Sequence, residues 1–194
     1  MASRPPPDFA VLVARITRAL DGLGIPFMLI GGQAVLLHGR VRLTEDIDIT
    51  LGVAPDRLPA IQAVCRDLGF EALPRDVERF VRETFVLPVR DQASGIRVDF
   101  VFSTTPYERQ AIARAERVEV GGEAVPFATA EDLIIHKLFA GRAVDWEDAV
   151  SVVRRKRNAI DWAYVEARAR EFVEVPGRGD LPERVARLRR ENPS

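Results

Sequence analysis

One cysteine, Cys65, stands among 194 residues. The chain therefore forms no internal disulfide and no cysteine-built zinc site. Two histidines, His38 and His136, are too few for a histidine-rich metal centre. Lysine is nearly missing too, with Lys137 and Lys156 standing against 26 arginines. No apolar run approaches the roughly 20 residues of a membrane-spanning helix. The opening Met-Ala-Ser-Arg-Pro-Pro-Pro lacks the basic-then-apolar layout of a signal peptide. A soluble cytoplasmic protein without a membrane partner is expected. Excess charge of one sign is also lacking: 28 basic and 29 acidic residues give a net charge of −1. That excludes an electrostatic footprint for nucleic acid spread over the whole chain, though not a local one.

What is present suits a globular protein, with 47% apolar and 29% charged residues and enough length to bury a core unaided. Apolar residues at helical spacing (Phe9, Leu12, Val13, Ile16, Leu20) predict a helix over 8–20. A buried strand follows over 26–30, then Gly31-Gly32 and a short helix over 33–38. Alternation predicts strands over 46–51, 84–89 and 96–102, the last two joined by a hairpin-like loop. Helices are expected over 55–68 and 107–116. A tight hairpin around Gly121-Gly122 joins strands over 117–120 and 124–127. Beyond it the pattern is helical, with Thr129 as the cap of a helix to Ala140 and further helices over 144–157, 161–173 and 181–190. The expected fold is α+β: a small mixed sheet flanked by helices in residues 1–128, and a helical subdomain in residues 129–194. Charge divides along the chain as well, with a net −5 over 1–150 and +4 over 151–194.

Three carboxylates carry the chemistry. Asp46 and Asp48, two apart on a strand, share one face about 7 Å apart at Cα, while Ile47 and Ile49 point to the other. Two carboxylates so placed repel, so a cation is expected between them. Asp99 lies inside the apolar strand Val98-Asp99-Phe100-Val101, where a lone carboxylate is costly without a partner. Should that strand lie beside the first, all three gather on one face as hard oxygen donors for Mg²⁺ or Mn²⁺. A salt bridge of Asp99 to Arg97 or another arginine is the structural alternative. Gly31-Gly32, between a strand and a helix, lets backbone amides approach a phosphate, or serves as a plain turn.

Taken together, strand, Gly31-Gly32, short helix and an Asp-x-Asp strand resemble the nucleotidyltransferase superfamily typified by DNA polymerase β. The run Arg42-Leu43-Thr44-Glu45-Asp46-Ile47-Asp48 is similar to that of its AbiEii/AbiGii toxin-type group. Lys137, Arg142, Asp145 and Asp148 resemble that group's downstream pattern. The resemblance implies transfer of a nucleoside monophosphate from an NTP with release of pyrophosphate. Gly31 and Gly32, with Arg42 and Thr44, would bind the nucleotide; Asp46, Asp48 and Asp99 would hold the metals and act in catalysis; Lys137 would neutralise phosphate charge. The resemblance does not name the acceptor: RNA, tRNA first, is expected from the toxin-like members and the basic tail, with a small molecule such as an antibiotic, or a protein, as the alternative. An antitoxin partner belongs to the same reading, as does a third possibility, a catalytically idle nucleotide-binding domain.

The remaining candidates have plainer readings. Arg154-Arg155-Lys156-Arg157 ends a helix, where basic residues complement the helix dipole or meet an RNA backbone. Asp145 and Asp148 share a helix face, suited to orienting Lys137 or Arg142 or to a structural ion-pair cluster. Trp146 and Trp162 read as core, and His38 as a helix-end residue facing the dipole.

Overall fold

The structure, a computed structural model, describes residues 7–40 and 46–193. It divides into two compact units, residues 1–33 with 43–127 and residues 34–42 with 128–194. Residues 34–40 thus group with the helical unit, an assignment no local pattern in the sequence carries. Among the described residues no helix is long and apolar enough to cross a membrane.

The first unit is built on helix α1 (Pro7–Gly22) and seven strands: β1 (Phe27–Ile30), β2 (Asp46–Leu51), β3 (Phe70–Ala72), β4 (Val86–Asp91), β5 (Arg97–Phe102), β6 (Glu116–Val120) and β7 (Glu123–Phe127). They form one mixed sheet in the order β3-β4-β5-β2-β1-β7-β6. β2 runs parallel to β5 and antiparallel to β1, and β1 runs parallel to β7. The helical stripe predicted for α1 is buried through Phe9, Leu12, Val13, Ile16 and Leu20. Its polar side ties to the sheet and to the end of the helix over 58–68: the Arg15 guanidinium lies 3.8 Å from Asp91 of β4 and donates to the Leu68 carbonyl at 2.6 Å.

Alternation along β2 and β5 sends Ile47, Ile49, Val98 and Phe100 into the core, all of them fully buried. Helix α3 (Leu58–Leu68) ends at Gly69, whose φ of 74° closes it in the left-handed region. Helix α5 (Pro106–Arg114) starts in a capping box between Thr105 and Glu108. The β6–β7 hairpin turns on Gly121 and Gly122, at φ 61° and 87°.

Between α3 and β4 the structure holds two elements the sequence pattern did not announce, β3 and the two-turn helix α4 (Val77–Thr84). Thr84, expected to open a strand, instead closes α4, which Asp76 caps by accepting from the Arg79 amide at 3.0 Å. Both elements are too short for periodicity to register.

The second unit takes the later turns of α2 (Gly31–His38) together with α6 (Ala130–Ala140), α7 (Ala143–Lys156), α8 (Trp162–Arg170) and α9 (Leu181–Glu191). Thr129 caps α6 as expected: its hydroxyl accepts from the Asp132 amide and donates to the Asp132 carboxylate at 2.9 Å. Asp132, fully buried, also accepts from the Tyr164 hydroxyl at 2.7 Å, which ties α8 to α6. His38 is buried and bonds through Nε2 to the Ala128 carbonyl at 2.8 Å. Trp146 and Trp162 are half-buried rather than core. Each presents its ring to an arginine of α9, Arg187 at 4.6 Å and Arg189 at 5.8 Å from the centroids. A wide indole at a helix surface is covered by a guanidinium more readily than swallowed whole.

Candidate active site

The carboxylates of the first unit meet through strand register. In the parallel β2–β5 pair, Asp46 lies opposite Arg97 and Asp48 opposite Asp99. Because i and i+2 share a face, these four residues form one patch of three carboxylates and one guanidinium. Asp46 is exposed, and Asp48 and Asp99 are half-buried. The burial of Ile47, Ile49, Val98 and Phe100 on the opposite face fixes this orientation, since a one-residue slip would bury the charges and expose the core.

Arg97 does not reach across the ladder. It turns along its own strand and grips Asp99 with two donors, Nε to Oδ1 at 2.8 Å and Nη2 to Oδ2 at 3.0 Å. This is the salt bridge given above as the structural alternative for Asp99. The hydrogen bond to Asp99 raises the pKa of Arg97, burial opposes it, and the charges of Asp99, Asp46 and Asp48 raise it further.

Gly31 closes the patch from the β1 side. Ile30, the last residue of β1, pairs with Asp48, and α2 begins at the next residue. Gly31 has φ 66°, and a Cβ built on it would run into the Asp48 carboxylate. Only glycine combines that backbone with that approach. Gly32 follows, buried in the first turn of α2, whose leading amides have no partner within the helix. Arg42 and Thr44 lie outside the described residues.

Three features of these residues bear on a divalent cation. The donors are all carboxylate oxygens, the kind Mg²⁺ and Mn²⁺ prefer. A cation, the Arg97 guanidinium, already stands among them. The glycine notch brings α2's first turn against Asp48. The chemistry fits. The assembly is not ready-made: among the described residues no group of three or more His, Cys, Asp or Glu is gathered to hold a metal.

Lys137 belongs to the second unit and is not on its surface. Its side chain is 5% exposed, and Nζ lies 3.1 Å from Asp145 and 2.9 Å from Asp148, both fully buried. Asp145 is saturated: it also accepts from the Arg142 backbone amide at 3.1 Å and from that residue's Nε and Nη2 at 2.7 and 3.0 Å. Burial works against ionisation of Asp145, but the bonds and charges of Arg142 and Lys137 outweigh it and hold the carboxyl below its ordinary value. Arg40, which carried no signal in the sequence, bonds Asp148 at 3.3 Å and Glu147 at 3.0 Å. The lysine expected on phosphate is thus committed, in this structure, to two aspartates.

The basic run at the end of α7 is divided. Arg155 donates to the Gly39 carbonyl at 2.8 Å, closing the end of α2, and Arg154 bonds Asn192 at 3.1 Å. A cleft of about 730 Å³ in the second unit is lined by Gly39, Arg40, Trp146, Ser151, Arg154 and Arg155 among others. It contains none of Gly31, Gly32, Asp46, Asp48, Asp99 or Lys137.

Comparison with known proteins adds a family and a fold. The sequence model of the family described as "Nucleotidyl transferase AbiEii toxin, Type IV TA system" matches residues 14–180. Comparison with curated proteins gave no match. Among solved structures, the chain is similar to the antibiotic-resistance factor ANT(2'')-Ia, at 18% identity and TM-score 0.58 over 95% of this chain and 96% of that one. It is similar to an antigenic nucleotidyltransferase-like protein from Paracoccidioides brasiliensis, at 18% and 0.53 over 93% of each chain. It is also similar to the lincosamide antibiotic adenylyltransferase LnuA bound to lincomycin, at 13% and 0.51 over 73% of this chain and 94% of that one. At such identities the likeness is one of fold.

Proposed function

Because the chain belongs to the AbiEii nucleotidyl transferase toxin family, it is a nucleotidyltransferase, and we propose that it works on the β2–β5 carboxylate face with RNA, tRNA first, as acceptor. The observation that carries the site is the pairing of Asp48 with Asp99 beside Asp46, against the Gly31 notch. In this reading Asp46, Asp48 and Asp99 hold Mg²⁺ or Mn²⁺, which when bound polarises phosphoryl oxygens and offsets the charge of the triphosphate. Gly31 and Gly32 present the amides of α2's first turn to the phosphates. The acceptor hydroxyl attacks the α-phosphorus, its proton passes to Asp99, and the bond to the β-phosphate breaks to release pyrophosphate. Arg42 and Thr44 join the nucleotide site on the strength of the resemblance; the phosphate role that the resemblance gives Lys137 is not part of this reading, because its ammonium is held between Asp145 and Asp148. The division of labour proposed is a chemical core in residues 1–128 and a helical part, 129–194, that serves the acceptor.

RNA is favoured by the net +4 of residues 151–194, where Arg154 and Arg157 are exposed. A small-molecule acceptor is the second reading, favoured by the fold shared with ANT(2'')-Ia and LnuA. The toxin–antitoxin description of the family further suggests an antitoxin as the partner that restrains the activity. The test is incubation with each α-³²P-labelled NTP and Mg²⁺, offering purified tRNA in one arm and an aminoglycoside and a lincosamide in the other. Label in tRNA supports the first reading. Label in the antibiotic alone overturns it in favour of the second.

A further inference from the structure

The patch contains one charged group that the proposed reaction does not use. Arg97 is the only cation among the four residues that the β2–β5 register brings together. It holds both oxygens of Asp99, and its side chain stays 42% exposed while that of Asp99 is 17% exposed. A partly exposed guanidinium pairs with the more buried carboxylate of its own strand rather than with Asp46, its partner across the ladder. The neighbours on the other side offer no rival. Arg90, opposite Arg97 on β4, is spent on the Gly95 carbonyl at 2.9 Å, and Pro88, opposite Asp99, has no donor. Arg97 is therefore the described cation that Asp99 holds.

A divalent ion on the oxygens of Asp99 would stand within a few ångströms of that guanidinium, with like charge and a shared acceptor. The two are alternatives at Asp99. Among the described residues these carboxylates are not gathered as a metal cage. We propose that Arg97 is a displaceable counter-ion: it neutralises the carboxylate face while no divalent ion is bound, is expelled from Asp99 when the ion arrives, and then pairs with the polyphosphate that accompanies it. This rests on the reading of the face as a metal-dependent nucleotide site. Arginine suits both partners, since its planar fork matches carboxylate and phosphate alike.

The test uses the full chain without acceptor, so that it does not depend on turnover. Mn²⁺ binding is measured by calorimetry for wild type, Arg97→Gln and Arg97→Lys. Arg97→Gln, which removes the competing charge, is expected to bind Mn²⁺ about twofold to fivefold more tightly than wild type, the scale of one partly exposed ion pair. With Mn²⁺ saturating, a non-hydrolysable NTP analogue should bind more weakly to Arg97→Gln by a similar factor. Arg97→Lys, which keeps the charge but not the fork, should fall between the two and guards against a folding defect in the first variant. A second readout is the Arg97 Nε–Hε signal in ¹⁵N-labelled wild type, which should shift on addition of Mg²⁺ alone. Equal or weaker Mn²⁺ binding by Arg97→Gln, or an unmoved Nε–Hε signal at saturating Mg²⁺, overturns the counter-ion role and leaves the metal site standing. Failure of wild type to bind Mn²⁺ overturns the metal reading itself, and the counter-ion role with it.

Discussion

Two groups of aspartates in this protein differ in their balance of charge and in their contact with water. On the β2–β5 face, Asp46, Asp48 and Asp99 stand at or near the surface with one arginine. In the helical unit, Asp145 and Asp148 are fully buried with Lys137, and Arg142 and Arg40 reach in from the rim. Burial decides what each group can do. A carboxylate in contact with solvent can exchange an arginine for a metal at little cost. A buried one cannot lose its cation without leaving an uncompensated charge, whose desolvation is expensive. The exposed group is suited to ligand exchange, and the buried group to fastening α7 onto α6.

The largest effect expected from that contrast is on stability. Lys137→Ala removes the only buried cation shared by Asp145 and Asp148 among the described residues, leaving them Arg142 and Arg40 at the rim, and should cost roughly 3–5 kcal/mol, read as a fall in Tm of about 6–20 °C at a few degrees per kcal/mol. Loss of activity in this variant is then to be judged on the folded fraction. Asp145 adds a pH signature. Its folded pKa is lowered, so its contribution is present above the unfolded value of about 3.9 and fades as pH falls through the folded one. Asp145→Asn should therefore melt below wild type at pH 7, and the gap should narrow in acid.

Ligand linkage comes next. Mg²⁺ with a non-hydrolysable NTP at about 100 times Kd should stabilise wild type by about 2.7 kcal/mol, and Asp48→Asn far less. Comparable Tm shifts in the two proteins would show that the ligand sits elsewhere. Gly31→Ala should cost about 1–3 kcal/mol, because the new methyl meets the Asp48 carboxylate and the backbone at φ 66° is strained for alanine. Its NTP-dependent stabilisation should fall with it, which an equivalent change at exposed Gly177 would not reproduce.

The smallest effect concerns the basic run. Since the bond by which Arg155 closes the end of α2 is part-buried and that of Arg154 to Asn192 is exposed, the residues proposed to meet RNA are Arg154, Lys156 and Arg157. Neutralising the three should flatten the salt dependence of tRNA labelling by up to about 2 units of slope, at about 0.7 per phosphate. Superimposed curves would remove the run from the acceptor site.

Much of this was legible in the residues. Alternation gave β2 its bounds at Asp46 and Leu51, and two glycines gave the β6–β7 turn. Thr129 announced the start of α6, because capping is local chemistry. The four-residue patch needed one fact that alternation does not carry, that β2 and β5 pair although β3 and β4 intervene in sequence. The i, i+2 spacing of Arg97 and Asp99 was visible, but its meaning depended on that pairing. The burial of Lys137 was hidden for a similar reason. A lysine in a helix looks like surface until the elements that bury it are placed, and here Asp145 and Asp148 come from the next helix. Arg40 had no pattern to belong to.

The central claim is that nucleotidyl transfer takes place on the β2–β5 carboxylate face. Its most direct test is transfer of α-³²P label from NTP to acceptor by wild type and Asp48→Asn side by side, with matching circular dichroism spectra and melting curves recorded without ligand. The account predicts that Asp48→Asn stays folded and loses transfer by roughly a hundredfold or more, the scale of removing a group that stabilises charge at the reacting phosphate. A folded Asp48→Asn that labels the acceptor at the wild-type rate would contradict it.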